Sequence, residues 1–336
     1  MPVTDKADPS GPVPVTVIGG FLGAGKTTLL NHLIAHAKGR RFGVVVNDFG
    51  SINIDAELIL DVEDDVVRLT NGCVCCSMRG DLRNAVLRLL ELDERPDQIL
   101  IETSGVSEPD AIIDLFGELD RSGVLRFDGL IALVDVDQPA LGSSDRAVAA
   151  LARAQVRSAD LVVLNKVDLV ERSAIESIEA QIKDLAPQAR CVEAVNAALP
   201  LELVIGSDLR GATAGEHPHD HASAHDHASH TPGFSTLSFT TSERLSFKTL
   251  GPLLRSLPAG VLRAKGFLQI SEREGQKVIV HVVGRRLHVR SLDDWGGEPP
   301  VSRLVFIGPQ AHFNVDALKQ ALRAVLTSPD DAEFSD

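Results

Sequence analysis

The 336-residue chain predicts an α/β fold: a parallel sheet with intervening helices, followed by a smaller α+β domain. Three observations carry that expectation. Runs apolar on both faces recur at 15–19, 43–47, 66–70, 98–102, 129–134 and 160–164, as strands covered by helices on both sides require. Helical stretches such as 81–92 and 146–157 lie between them. Past residue 232 the pattern changes. Strand-like runs near 234–240, 261–271, 277–283 and 301–307 outnumber helical ones near 245–256 and 315–326, which suggests some antiparallel pairing.

Taken in order, residues 1–13 are polar and Pro-rich and read as a disordered N-terminus, and 14–205 form the first domain. Residues 206–232 have the Gly, Ser, Asp and His content of a flexible linker, and 233–327 form the second domain. Residues 328–336 are an acidic tail, expected to fray. Hydrophobic residues make up 44% and charged residues 24%, an ordinary globular balance that needs no disulfide scaffold at this length.

Composition also excludes partners. The net charge of −14 disfavours nucleic acid, whose phosphates are held by basic patches, and 4% aromatics with no Tyr disfavour a base-stacking surface. No apolar run reaches the roughly 18 residues a membrane helix needs, and the first residues lack the apolar block of a secretory signal. The expected location is the cytoplasm, with neither membrane nor nucleic acid as partner.

The strongest motif is Gly20-Phe21-Leu22-Gly23-Ala24-Gly25-Lys26-Thr27, which fits G-x-x-x-x-G-K-[ST] between a strand and a helix. Glycines let backbone N–H groups close around phosphate oxygens at the positive end of a helix. Gly20, Gly23, Ala24, Gly25 and the following Thr28 belong to this cradle. Lys26 would reach the β- and γ-phosphates, and the Thr27 hydroxyl would ligate Mg²⁺. An ordinary Gly-rich turn carrying Lys-Thr by chance is the weaker alternative. In the helix that follows, Leu29/Leu33 and Leu30/Ile34 form one apolar stripe.

Asn165-Lys166-Val167-Asp168 follows a later strand, where a base-recognition loop belongs. The Asp168 carboxylate can accept from guanine N1–H and its exocyclic amine. Against adenine it would be left desolvated and unmatched, which favours GTP over ATP. Asn165 and the stem of Lys166 would position the base. Glu102-Thr103-Ser104-Gly105 ends the strand 98–102: Glu102 can hold a Mg²⁺-bound water, and the Gly105 N–H can sense a γ-phosphate. A helix cap around Ser104 or Ser107 is the plainer alternative and is compatible. Asn47-Asp48-Phe49-Gly50 would be the other nucleotide-sensing segment, with Asp48 a candidate ligand for Mg²⁺ or a transferred metal.

Three of the four cysteines are crowded at Cys73, Cys75 and Cys76, between the strand 66–70 and a helix. Ligands of open α/β sheets gather outside the carboxyl ends of the strands, so this loop is expected on the rim that carries the phosphate loop. Thiolates suit Zn²⁺ and other borderline or soft ions, and three of them leave a coordination position open, which suits transfer. A redox role is the main competitor, but the spacing is not C-x-x-C. Cys191 reads as a small buried apolar residue. Six of the 11 histidines, His217, His219, His221, His225, His227 and His230, fall in the linker among Asp220 and Asp226 and can capture divalent ions in interchangeable ways. His32 and His36, four apart, read as an exposed helix face.

With these motifs assembled, the chain resembles the CobW-type family of GTP-dependent metallochaperones, relatives of the nickel-inserting GTPases for urease and hydrogenase. The resemblance rests on GGFLGAGKTT (19–28), NDFG…ID (47–55), NGCVCC (71–76), ETSG…P (102–109), NKVD (165–168), RAKGF (263–267) and SRLVFIG (302–308). It implies a P-loop GTPase domain, a His-rich insertion and a C-terminal domain that contacts clients. It further implies that Mg·GTP organises a metal site at the C-x-C-C motif, and that hydrolysis releases the metal to a client metalloprotein. The expected cargo is Zn²⁺; Co²⁺ for cobalamin synthesis is the alternative within the family. Lys26, Thr27 and Glu102 carry the hydrolysis, and a nucleotide- or metal-dependent homodimer is a further expectation. A passive His/Cys metal buffer would have no use for NKVD and ETSG, and a small-molecule kinase none for GCVCC.

Overall fold

The computed structural model describes residues 11–37, 39–46, 66–70, 78–205, 233–258, 260–284, 286–292, 294–295, 299–326 and 332–335. The described residues divide into two compact units, one within 6–205 and one within 206–336.

In the first unit β1 (Val13–Gly20) leads into α1 (Lys26–Ala35), then β2 (Phe42–Val46) and β3 (Val66–Thr70). They are followed by α2 (Met78–Leu90), β4 (Gln98–Glu102), α3 (Pro109–Arg121), β5 (Leu125–Asp135) and α4 (Arg146–Arg157). β6 (Leu161–Asn165), α5 (Arg172–Leu185), β7 (Arg190–Ala194) and the short α6 (Leu201–Ile205) complete it. All pairings are parallel, in the order β3-β2-β4-β1-β5-β6-β7. β2 and β4 are buried at every position, as strands covered on both faces must be.

Because β1 lies between β4 and β5, the strand order reverses at β1, and a crevice opens at the carboxyl ends there. Register fixes what reaches that edge. Ile18 and Val46 both pair with Glu102, Gly20 with Leu133, Val46 with Thr70, Asp135 with Asn165, and Asn165 with Ala194. The core beneath is aliphatic, with Phe116 of α3 stacked on Phe127 of β5 at 5.9 Å between ring centroids.

The second unit runs β8 (Phe234–Thr241), α7 (Phe247–Arg255), β9 (Arg263–Gln269), β10 (Lys277–Val283) and β11 (Arg286–Leu292). β12 (Ser302–Pro309), α8 (Val315–Arg323) and β13 (Ala332–Ser335) follow. These strands pair antiparallel throughout, in the order β11-β10-β9-β12-β8-β13. One sheet face, including Leu237, Phe239, Leu268, Val280, Leu304 and Phe306, packs with Leu250 and Leu254 of α7 and Leu318 and Leu322 of α8. The expectation of a fraying tail is corrected here: Ala332–Ser335 pairs with β8 and forms the sheet edge. A short acidic stretch can still close its backbone hydrogen bonds against a strand with an open edge.

Candidate functional site

The loop after β1 has the shape its glycines dictate. Gly20, at φ 131°, could take no Cβ, which would lie 2.4 Å from the Leu133 carbonyl oxygen. Gly25, at φ 102°, could take none either, because it would lie 2.4 Å from Asn165 Nδ2. Gly25 is also the left-handed N-cap of α1 and offers no side chain to the first helical amides. Those amides therefore remain for an anion at the positive end of the helix. Leu29, Leu30, Leu33 and Ile34 anchor the helix in the core, as their spacing predicts.

Lys26, 8% exposed, folds back so that Nζ donates to the Phe21 carbonyl at 3.1 Å. Thr27 Oγ1 donates at 2.7 Å to Oε1 of Glu102, a carboxylate only 2% exposed at the end of β4. A hydroxyl and a buried carboxylate in contact are the hard oxygen donors Mg²⁺ prefers. The backbone cradle beside them fits a phosphate chain. Thr28 is exposed on α1. Gly105 is buried against the loop: a Cβ on it would stand 2.6 Å from the Leu22 side chain and 2.7 Å from the Leu22 amide nitrogen.

The other end of the rim is built by β5, β6 and β7. Asn165, 2% exposed, donates from Nδ2 to the Ala24 carbonyl at 2.9 Å and accepts at Oδ1 from the Ala197 amide at 2.8 Å. It therefore ties the phosphate loop to the loop after β7. Lys166 takes the left-handed conformation, φ 66°, and its Nζ lies 2.5 Å from Asp135 Oδ2. The second Asp135 oxygen accepts from the amides of Asp137 and Gln138. Asp168 stands exposed in the 3-10 turn Val167–Leu169.

Three participants were not foreseen from the sequence. Asp135 anchors Lys166. The 195–197 loop holds consecutive left-handed residues, Asn196 and Ala197, and presents the amide that fixes Asn165. Neither an unremarkable strand-end Asp nor a backbone amide leaves a pattern in composition. Gln155 of α4, by contrast, left a trace as a polar residue among Ala149, Ala152 and Val156 on a buried helix face.

Asp48, Cys73, Cys75 and Cys76 lie outside the described residues, as do His217, His219, His221, His225, His227 and His230. Among the described residues no group of three or more His, Cys, Asp or Glu side chains could hold a metal. Cys191 is half-buried, and burial, helped by the nearby Glu179 charge, pushes its thiol up to about 11. It stays protonated and is a poor metal ligand. His36 is exposed as expected, whereas His32 departs from the expected exposed face. Their ring centroids lie 4.3 Å apart with the planes tilted by 37°, and His32 is half-buried with Nε2 donating to the Leu199 carbonyl at 2.9 Å. Burial holds its pKa below the ordinary value, against the pull of that carbonyl. No described helix is long and apolar enough to cross a membrane.

A phosphate cradle at the switch point of a parallel sheet, with a Thr–Glu pair at one end and an Asn-Lys-x-Asp turn at the other, defines a P-loop GTPase. A family model described as "CobW/HypB/UreG, nucleotide-binding domain" matches residues 14–193, and "Cobalamin synthesis protein cobW C-terminal domain" matches residues 234–326. The chain belongs to the CobW/HypB/UreG family of GTPases. It is 30% identical to the protein named "Zinc chaperone CobW" from Sinorhizobium sp, over 95% of this chain and 97% of that one. It is likewise 30% identical to "Zinc-regulated GTPase metalloprotein activator 1" of Dictyostelium discoideum, over 92% of this chain and 72% of the other. With "Zinc chaperone YjiA" of Escherichia coli (strain K12) it shares 31% identity over 89% of this chain and 95% of that one.

Proposed function

We propose that this GTPase is a metallochaperone that takes up Zn²⁺ at Cys73, Cys75 and Cys76 and couples GTP hydrolysis to its delivery to a client protein. The observation that carries the reading is the register of the first sheet. Thr70, which leads into the cysteine segment, pairs with Val46, and Val46 pairs with Glu102 at the edge that holds the phosphate loop. A carboxylate in contact with Thr27 therefore ends its strand with only β2 between it and β3, the strand that leads into the thiolates.

On this reading Lys26 leaves the Phe21 carbonyl to meet the β- and γ-phosphates, and Thr27 turns from Glu102 toward Mg²⁺. Thr27, with Glu102 behind it, would hold Mg²⁺, which would supply charge neutralisation for the phosphates. Glu102 would hold a Mg²⁺-bound water by accepting a hydrogen bond from it, and Gly105 would offer its amide to the γ-phosphate. Asp168 reads guanine N1–H and the exocyclic amine, with Asn165 and the stem of Lys166 holding the base. No arginine finger stands in a motif, so intrinsic turnover is slow, and a partner can raise it by up to ~10⁵-fold. The linker histidines gather ions, and Asp48 is a further ligand for Mg²⁺ or cargo. The protein works in the cytoplasm, and dimerisation follows nucleotide or metal.

Zn²⁺ is favoured over Co²⁺ because two of these relatives are named zinc chaperones and because zinc binds such sites more tightly. A competition titration of Zn²⁺ against Co²⁺ with Mg·GTP present, in wild type and Cys75→Ala, tests the assignment. Preference for Zn²⁺, with thiolate-to-cobalt absorption bands that Cys75→Ala abolishes, is the expected result. Metal binding indifferent to Cys75 would remove the site.

A further inference from the structure

α4 buries Ala149, Ala152 and Val156, yet Gln155 shares that buried face at 4% exposure. An apolar residue would have completed the stripe. Instead, Gln155 Nε2 donates to two carbonyls of the loop after β4, to Gly105 at 3.1 Å and to Ser107 at 3.2 Å. The loop's near end is held by β1, where the Thr103 amide donates to the Ile18 carbonyl at 3.0 Å. Gln155 holds its far end. Between these anchors Gly105 presses on the backbone of Leu22, close enough that a Cβ would displace one of them.

Gln155 Oε1 and the Ser107 hydroxyl are both buried with no hydrogen-bond partner among the described residues. Unmatched buried polar atoms are costly, so this contact holds the loop with less than its full hydrogen-bonding capacity. A clamp that is half satisfied, beside a glycine seated on the phosphate loop, has the form of a switch contact.

We propose that Gln155 is a positioning residue that holds Gly105 over the phosphate loop and so sets the preference of the site for GTP over GDP. The proposal rests on the assignment of Gly105 as the γ-phosphate sensor. GDP has no γ-phosphate and makes no use of that amide, so loosening the loop weakens GTP alone. A group that merely fills the core would affect both nucleotides equally.

Gln155→Leu removes the donor at similar volume, and Gln155→Met removes it on an unbranched chain of similar length. Affinities of both variants and wild type for a fluorescent non-hydrolysable GTP analogue and for fluorescent GDP, each with Mg²⁺, are to be measured beside melting temperatures. For either variant that folds, the expected result is about 10-fold weaker binding of the GTP analogue with GDP within about 2-fold of wild type. Gly105→Ala, driven off by Leu22, should show the same asymmetry. Equal losses for both nucleotides alongside a lowered melting temperature, or an unchanged ratio, would overturn the proposal while leaving the site assignment intact. A wild type that binds GDP and the GTP analogue equally would overturn both.

Discussion

The two ends of the nucleotide site are held in opposite ways. At the proposed base end, Asn165 is bound on both sides by backbone and Lys166 is pinned by Asp135, contacts that the proposed guanine pose leaves in place. At the phosphate end, Lys26 is engaged with the Phe21 carbonyl and Thr27 with Glu102, and on the proposed function both contacts give way to phosphate and Mg²⁺. One end is preorganised and the other is spring-loaded. Binding free energy is therefore spent at the end that has to report which nucleotide is present.

Substitutions at the two ends should separate accordingly. Lys26→Ala removes a buried charge that would meet two phosphates and is expected to weaken GTP about 100-fold, measured by calorimetry, with GDP hurt less. Asp168→Asn breaks the guanine contacts and should weaken GTP and GDP alike, by about 30-fold, while improving binding of xanthine nucleotides, whose C2 carbonyl accepts from the new amide. Equal losses for GTP and GDP in Lys26→Ala would erase the contrast between the ends. Asn165→Ala leaves the Ala24 carbonyl and Ala197 amide unmatched and should cost about 2 kcal/mol of stability without nucleotide, read from denaturant unfolding. Asp135→Ala frees a half-exposed Lys166 and should weaken both nucleotides only about 3-fold, less so at high salt.

The thiols offer a further contrast. Cys191, raised to about 11, is protonated well above neutral pH, and its thiolate fraction grows only as pH climbs toward that value. Labelling at pH 8 should find Cys73, Cys75 and Cys76 reactive, protected by Zn²⁺, and Cys191 slow with or without metal.

Much of the first unit was legible because its signals are local. Strands buried on both faces read as continuous apolar runs, and Gly20 and Gly25 stand where any Cβ would collide. β7 and β11 escaped notice for the opposite reason. Arg190–Ala194 and Arg286–Leu292 lie at sheet edges with half-exposed, charged positions, so neither shows an apolar run. Contacts such as Asn165 with Ala197, or Gln155 with Gly105, join residues far apart in sequence through backbone atoms that carry no residue identity. The cysteine cluster and the histidine run fall outside the described residues, and their assignment rests on residue chemistry and on the register of Thr70.

The direct test of coupling between triphosphate and thiolates is Zn²⁺ affinity, measured by chelator competition, with Mg²⁺ and a non-hydrolysable GTP analogue or with Mg²⁺ and GDP. Tighter zinc binding with the GTP analogue, by about 10-fold or more and matched by an equal gain in nucleotide affinity when zinc is present, is the predicted result. The same zinc affinity with either nucleotide would contradict it.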